Sequence, residues 1–98
     1  MDISFTPAAE MIVEHLLPPD RKRIDRSLER LRGGKVENLV EDSQKLSREN
    51  VWVWKASPDL RILFRRRKNA ITIVDVFRQS QVDAIFFGTD DERPKIGD

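Results

Sequence analysis

The sequence predicts an α+β fold, a curved antiparallel sheet with an N-terminal helical hairpin on one face, in the order β-α-α-β-β-β-α. Three observations carry this expectation. Residues 7–32 hold two apolar stripes of helical period separated by Pro18-Pro19. Residues 51–77 change to apolar runs of period two. The turns between those runs are too short for anything but antiparallel pairing.

Ile3 and Phe5 alternate with Asp2 and Ser4, which suits a short first strand. Thr6-Pro7 then reads as a helix start, a threonine N-cap followed by proline at the first helical position. Ala9, Ile12, Val13, Leu16 and Leu17 recur on one helical face, and Pro18-Pro19 ends that helix over 7–17. Asp20 is expected to cap a second helix over 20–32 with the stripe Ile24, Leu28 and Leu31, stopped by Gly33-Gly34. Residues 35–50 are polar and read as a mostly irregular connection with room for a short turn of helix.

Val51-Trp52-Val53-Trp54 is a β-branched and aromatic strand, followed by a turn at Ser57-Pro58-Asp59. Leu60, Ile62 and Phe64 alternate with Arg61, Leu63 and Arg65. Arg67-Lys68-Asn69 is a second turn, Ala70 to Phe77 a further strand, and Val82, Ile85 and Phe86 a short closing helix. The helical hairpin must bury its stripes on one sheet face, which leaves the other for function or for a partner.

A chain of 98 residues holds one core, so residues 1–88 are expected to form a single domain and 89–98 a charged, loose tail. Charged residues make up 36%, and no apolar run approaches the roughly 20 residues of a membrane-spanning helix. The first residues lack a basic segment and an apolar core, so no secretion signal is expected. The absence of cysteine excludes disulfides and thiolate metal sites and fits a reducing cytoplasm, the expected location. His15, the one histidine, falls off the apolar stripe and is expected at the surface, so no zinc site can be assembled from histidine and cysteine. No glycine-rich phosphate loop and no Ser-His-Asp arrangement is present; no metal or cofactor is expected.

Net charge is only +1, but the cations cluster. Residues 21–35 hold seven Lys or Arg against Asp25 and Glu29, and residues 61–78 hold six against Asp75. A basic patch on a nearly neutral molecule suits a local polyanion contact, and equally a solvated helix face plus a charged turn. Trp52 and Trp54 share one side of a strand. They suit either a stacking platform for bases or a pocket for a partner's side chains, or filling of a doubly covered core.

The stretch Asp59-Leu60-Arg61-Ile62-Leu63-Phe64 is similar to the "D-Y-R-hydrophobic-hydrophobic-Y" strand of the RelE/ParE toxin superfamily. Ile73-Val74-Asp75-Val76-Phe77-Arg78 resembles its "hydrophobic-D-V-G-H/K-R" strand end, and Val82-Asp83-Ala84-Ile85-Phe86 its "D-hydrophobic-Y" close. The Leu-Pro-Pro-Asp-Arg break between the helices is also common there. The resemblance covers roughly residues 2–87. It implies the toxin half of a toxin–antitoxin pair, with a cognate antitoxin as partner and, for the ribosome-dependent RNases of the family, the ribosome and messenger RNA. No membrane is implied; a homodimer through the exposed sheet face or edge is open.

Those RNases cut by attack of a ribose 2′-hydroxyl on the adjacent phosphate, which needs a base and cations for the charge on phosphorus. Arg61 matches the strand arginine and by alternation projects from the helix-free face; Arg78 matches the second arginine, with Gln79 competing for that place. The resemblance makes these two the catalytic candidates. Lys55, Arg65, Arg66, Arg67 and Lys68 are the RNA- or phosphate-binding candidates, the basic turn being expected beside the site. Trp52, Trp54 and Phe86 are expected to line the antitoxin groove near Arg61, which suits an acidic amphipathic segment. Counted back from Arg61, the family's lysine pair falls on Trp52 and Trp54, with Lys55 the nearest substitute but expected on the other face, and its closing tyrosine on Phe86. Three functions therefore stay open: ribosome-dependent mRNA cleavage, DNA gyrase inhibition without catalysis, and an inactive binding module.

Overall fold

The computed structural model describes residues 1–46 and 49–86, for 83–86 the backbone only. The expected tail at 89–98 lies outside the described residues. The chain runs β1 (Asp2–Phe5), α1 (Pro7–Glu14), α2 (Pro18–Arg32), α3 (Val36–Glu41), β2 (Ser43–Lys45), β3 (Trp52–Lys55), β4 (Leu60–Arg67), β5 (Ala70–Arg78) and α4 (Gln79–Phe86).

Thr6 caps α1 as expected, its hydroxyl accepting from the Ala9 N–H at 3.2 Å. The helix ends at Glu14 rather than at residue 17, with His15 as its C-cap. Pro18 is the physical reason: its ring bars Leu17 from helical dihedrals, and Leu17 is extended and 70% exposed. Pro18 and Pro19 therefore start α2 instead of merely stopping α1. Asp20 consequently lies inside the first turn of α2, not at its N-cap, and is only 4% exposed.

The connection at 35–50, expected to be mostly irregular with room for a short turn of helix, contains the helix α3 and also the unexpected short strand β2. Val36 and Leu39, three residues apart, are both buried and hold α3 against the core. Ser43 Oγ donates to the Leu39 carbonyl at 2.6 Å and fixes the entry into β2.

The sheet order is β1-β5-β4-β3-β2. The strands β3 to β5 are antiparallel as expected; the unexpected β2 adds a further antiparallel pairing with β3, and β1 pairs with β5 in parallel. Three helices separate β1 from the strands, so no tight turn dictates its direction. The core unites Ala9 and Val13 of α1, Ile24, Leu28 and Leu31 of α2, Leu60, Ile62 and Phe64 of β4, and Ile71, Ile73 and Val76 of β5, with Leu16 packed against it.

The buried residues of β5 change phase between Ile73 and Val76. Leu63 pairs with Asp75 but Phe64 pairs with Ile73, so Val74 has no partner in β4: a β-bulge. Beyond it, Val76 and Arg78 turn to the helix-bearing face, while Asp75 and Phe77 turn to the open face beside Leu63 and Arg61. No helix among the described residues is long and apolar enough to cross a membrane.

Ile62 is fully buried at the centre of the sheet. Ile62→Lys should cost at least about 3 kcal/mol as an unpaired buried charge, and Ile62→Val only about 0.5–1.5 kcal/mol. Urea unfolding checks both, and a cooperative Lys variant near parental stability would contradict this packing.

Candidate functional site

On the open face the register places Lys55, Arg61 and Phe77 in one row across three strands, with Val53, Leu63 and Asp75 in the next. A third row is Arg65, Thr72 and Ser4, the two hydroxyls 3.1 Å apart. The strand alternation of β4 dictates this: Leu60, Ile62 and Phe64 take the core, so the odd positions between them face away.

Arg61 is held by backbone. Its Nη1 donates to the carbonyls of Ser57 at 3.0 Å, Pro58 at 3.2 Å and Leu60 at 3.2 Å. No carboxylate forms an ion pair with it among the described residues. Asp75 instead accepts from the Val76 N–H, and Asp59 is occupied elsewhere. The guanidinium is thus oriented through one nitrogen, while its Nε and Nη2 make no hydrogen bond among the described residues and form an edge suited to a bidentate anion.

Beside Arg61 lies an open depression of about 360 Å³, whose lining includes Glu41, Asp42, Gln44, Lys55 and Arg61. It brings two cations and two carboxylates together. Glu41, Asp42 and Gln44 escape sequence inspection, because they reach Arg61 only once β2 pairs with β3. The one sequence signal was the acidic stretch around residues 37–49, which has no motif spacing.

The helix-bearing face holds a different polar cluster. Arg78 pairs with the buried Asp20 of α2 and, at 3.2 Å, with Asp59. Asp20 also accepts from Arg23 at 3.2 Å. Asp59 accepts from the Ser80 N–H and hydroxyl, each at 2.9 Å, and its carbonyl accepts from the Gln79 N–H at 2.7 Å. One residue of the β3–β4 loop thereby anchors the start of α4.

No family model matches the sequence, and no curated protein matches it. Solved structures do. A chain of the RelB-RelE antitoxin-toxin complex from Methanococcus jannaschii superposes with a TM-score of 0.64 at 19% identity, covering 85% of this chain and 98% of that one. YafQ from E. coli strain BL21(DE3) gives 0.59 at 12% identity, covering 83% and 96%. The YoeB/ParE toxin from Agrobacterium tumefaciens gives 0.58 at 11%, covering 81% and 99%.

The chain has the RelE/ParE toxin fold.

Within this fold the expected site residues separate. Arg61 and Lys55 sit in register on the open face, so Lys55 is not on the other face as expected: its pairing opposite Arg61 fixes it beside the arginine, and it is Trp52 and Trp54 that turn away. Arg78 does not join them: the bulge turns it to the helix side, where two carboxylates engage it. The single groove expected for Arg61, Trp52 and Trp54 is not formed. Trp52 and Trp54 pair with Phe64 and Ile62, so they lie on the helix-bearing face and pack against the core. The Trp52 indole N–H donates to Asn50 Oδ1 at 3.2 Å, and the Lys45 ammonium sits 5.7 Å from its ring centroid. The side chain of Phe86 lies outside the described residues.

The basic turn is not beside Arg61 either. Arg67 is six residues further along the same strand, about 20 Å at the usual strand rise. Arg65 is exposed on the open face. Arg66 alternates to the other side, its backbone bound to the Asn50 side chain at both N–H and carbonyl. Arg67 and Lys68 are exposed at the hairpin end. Among the described residues no group of His, Cys, Asp and Glu is placed to hold a metal ion.

The two arginines should respond oppositely to truncation. Arg78→Ala strands a nearly buried Asp20 carboxylate with only Arg23 and should cost about 3 kcal/mol. Arg61→Ala breaks hydrogen bonds to partly exposed carbonyls only and should cost about 1 kcal/mol or less. Paired denaturant melts decide this; equal losses would contradict the division.

Proposed function

We propose that this chain is the toxin component of a toxin–antitoxin pair and inhibits translation by ribosome-dependent cleavage of messenger RNA. The observation that carries this reading is the state of Arg61. It is a guanidinium pre-oriented by three carbonyls, unpaired with any carboxylate among the described residues, on an open face beside Lys55. A free arginine held this way fits a phosphate whose charge grows during attack by the neighbouring 2′-hydroxyl, and Lys55 adds a second cation. The carboxylates of Glu41 and Asp42, on the rim of the same depression, are groups able to accept the hydroxyl proton. The likeness to toxins of the RelE, YafQ and YoeB/ParE kinds supports the toxin role, and the RelB-RelE complex supports an antitoxin partner. The open face, with its two cations and with Val53, Leu63 and Phe77, suits an acidic amphipathic segment of that antitoxin.

A second reading is favoured by a specific observation. The positions of the family's lysine pair carry Trp52 and Trp54, both turned to the core. That loss suits a toxin acting by binding alone, on DNA gyrase, or an inactive binding module.

Controlled expression separates these readings. Cleavage should halt translation and leave cuts in ribosome-bound messages, mapped by primer extension. Arg61→Ala should lower cutting at least about 100-fold, and Arg61→Lys should restore little of it, since a point charge does not reproduce the fork. Growth arrest with intact messages and DNA damage would replace cleavage by gyrase inhibition. Harmless expression of folded protein would leave the binding module.

A further inference from the structure

Two serine hydroxyls hold the turn that holds Arg61, and the cleavage chemistry gives neither a task. Ser57 is engaged through every polar group it carries. Its N–H donates to the Leu60 carbonyl at 3.3 Å, its hydroxyl accepts from the Leu60 N–H at 3.1 Å, and its carbonyl accepts from Arg61 at 3.0 Å. The hydroxyl closes the Ser57-Pro58-Asp59-Leu60 turn from inside, a side-chain acceptor serving the backbone N–H three residues on. Pro58 has no N–H to contribute, so its carbonyl, a second acceptor for Arg61 at 3.2 Å, goes where this turn puts it.

Ser27 acts from the other side of the loop. It lies in the middle of α2 at 1% exposure, and its hydroxyl donates to the Ala56 carbonyl at 3.3 Å. A buried hydroxyl is costly without a partner, and apolar Ile24, Leu28 and Leu31 serve the rest of that helix face. Packing does little for the loop here. An open cavity of about 580 Å³ lies between α2 and residues 56–58, and its α2 wall is polar, with Arg23, Arg26 and Arg30 around Ser27. Hydrogen bonds rather than apolar contact therefore fix the loop on this side.

We propose that Ser57 is a positioning residue for Arg61, with Ser27 supporting the same loop from α2. The two hydroxyls set the carbonyls of Ser57 and Pro58, and through them the direction of the Nε and Nη2 edge. Neither hydroxyl touches the bound anion. An unclamped arginine gives up its rotamer freedom when it binds. A clamped one has given it up on folding, and so binds more tightly through the same contacts. The inference rests on the reading of Arg61 as a phosphate ligand and adds the source of its orientation.

NMR of the Arg61 guanidinium in the full chain tests this without any cleavage. Three acceptors on Nη1 should slow rotation about its bond to Cζ and give resolved Nη signals in the parent chain. Ser57→Ala should merge them, with a melting temperature lowered by no more than about 8 °C, the effect of one hydrogen bond in a small domain. Inorganic phosphate, titrated against the Arg61 Nε signal, should bind about fivefold more weakly to Ser57→Ala and about threefold more weakly to Ser27→Ala. Ser57→Thr keeps the acceptor and should stay within about twofold of the parent. In the message-cutting assay Ser57→Ala should slow the parent chain but add nothing to Arg61→Ala, because a residue that acts through Arg61 has no effect once Arg61 is gone. Unchanged Arg61 signals and phosphate affinity in Ser57→Ala would overturn the proposal. So would equal losses in Ser57→Thr, or a Ser57→Ala loss that adds in full to that of Arg61→Ala. Phosphate binding that depends on Ser57 in a chain that cuts no message keeps the positioning role and removes cleavage; cutting that ignores Ser57 does the reverse.

Discussion

Val74 has no partner on β4, and much of the polar organisation of this chain follows from that one extra residue. Without the bulge, the alternation set by Ile71 and Ile73 would carry Asp75 and Phe77 into the core and turn Arg78 to the open face beside Arg61. With it, Val76 completes the core and Arg78 reaches Asp20 on α2. A bulge gives up regular pairing at one place and re-aims everything beyond it. Here it sends one arginine to hold the helices to the sheet and leaves the other unpaired.

The Asp20–Arg78–Asp59 cluster then ties α2 to one end of the sheet, with which it shares no backbone ladder. It joins the first turn of α2, the end of β5, the β3–β4 loop and the start of α4. Asp20 is nearly buried, so its charge is tolerable only with Arg78 and Arg23 in place. The same loop supplies the carbonyls that orient Arg61, so the structural cluster on one face and the free guanidinium on the other hang on residues 57–60. This coupling suits a site in which a cation must be held in place without being neutralised.

The distribution of charge makes sense in these terms. Cations that support folding have acidic partners, as Arg78, Arg23 and Arg21 do. Arg61, Arg26 and Arg30 enter no such pair among the described residues and line open cavities. A chain of net charge +1 can therefore present local positive surface while its remaining charges balance.

By itself the sequence determined what depends on neighbours along the chain. The Thr6-Pro7 start of α1, the apolar stripe of α2 and the alternation of β4 are local patterns, and with them the outward aim of Arg61. Resemblance of short motifs added the fold family. Tertiary structure alone decided the pairings that span long separations: the parallel union of β1 with β5, the existence of β2, and the phase change at Val74. Those pairings moved Arg78 away from the candidate site, placed Trp52 and Trp54 against the core, and brought Glu41 and Asp42 to the depression that Arg61 lines. The physical reason is that a strand's period is two, so one unpaired residue reverses every face that follows, and nothing in the run Ile73-Val74-Asp75 marks which residue will be left out.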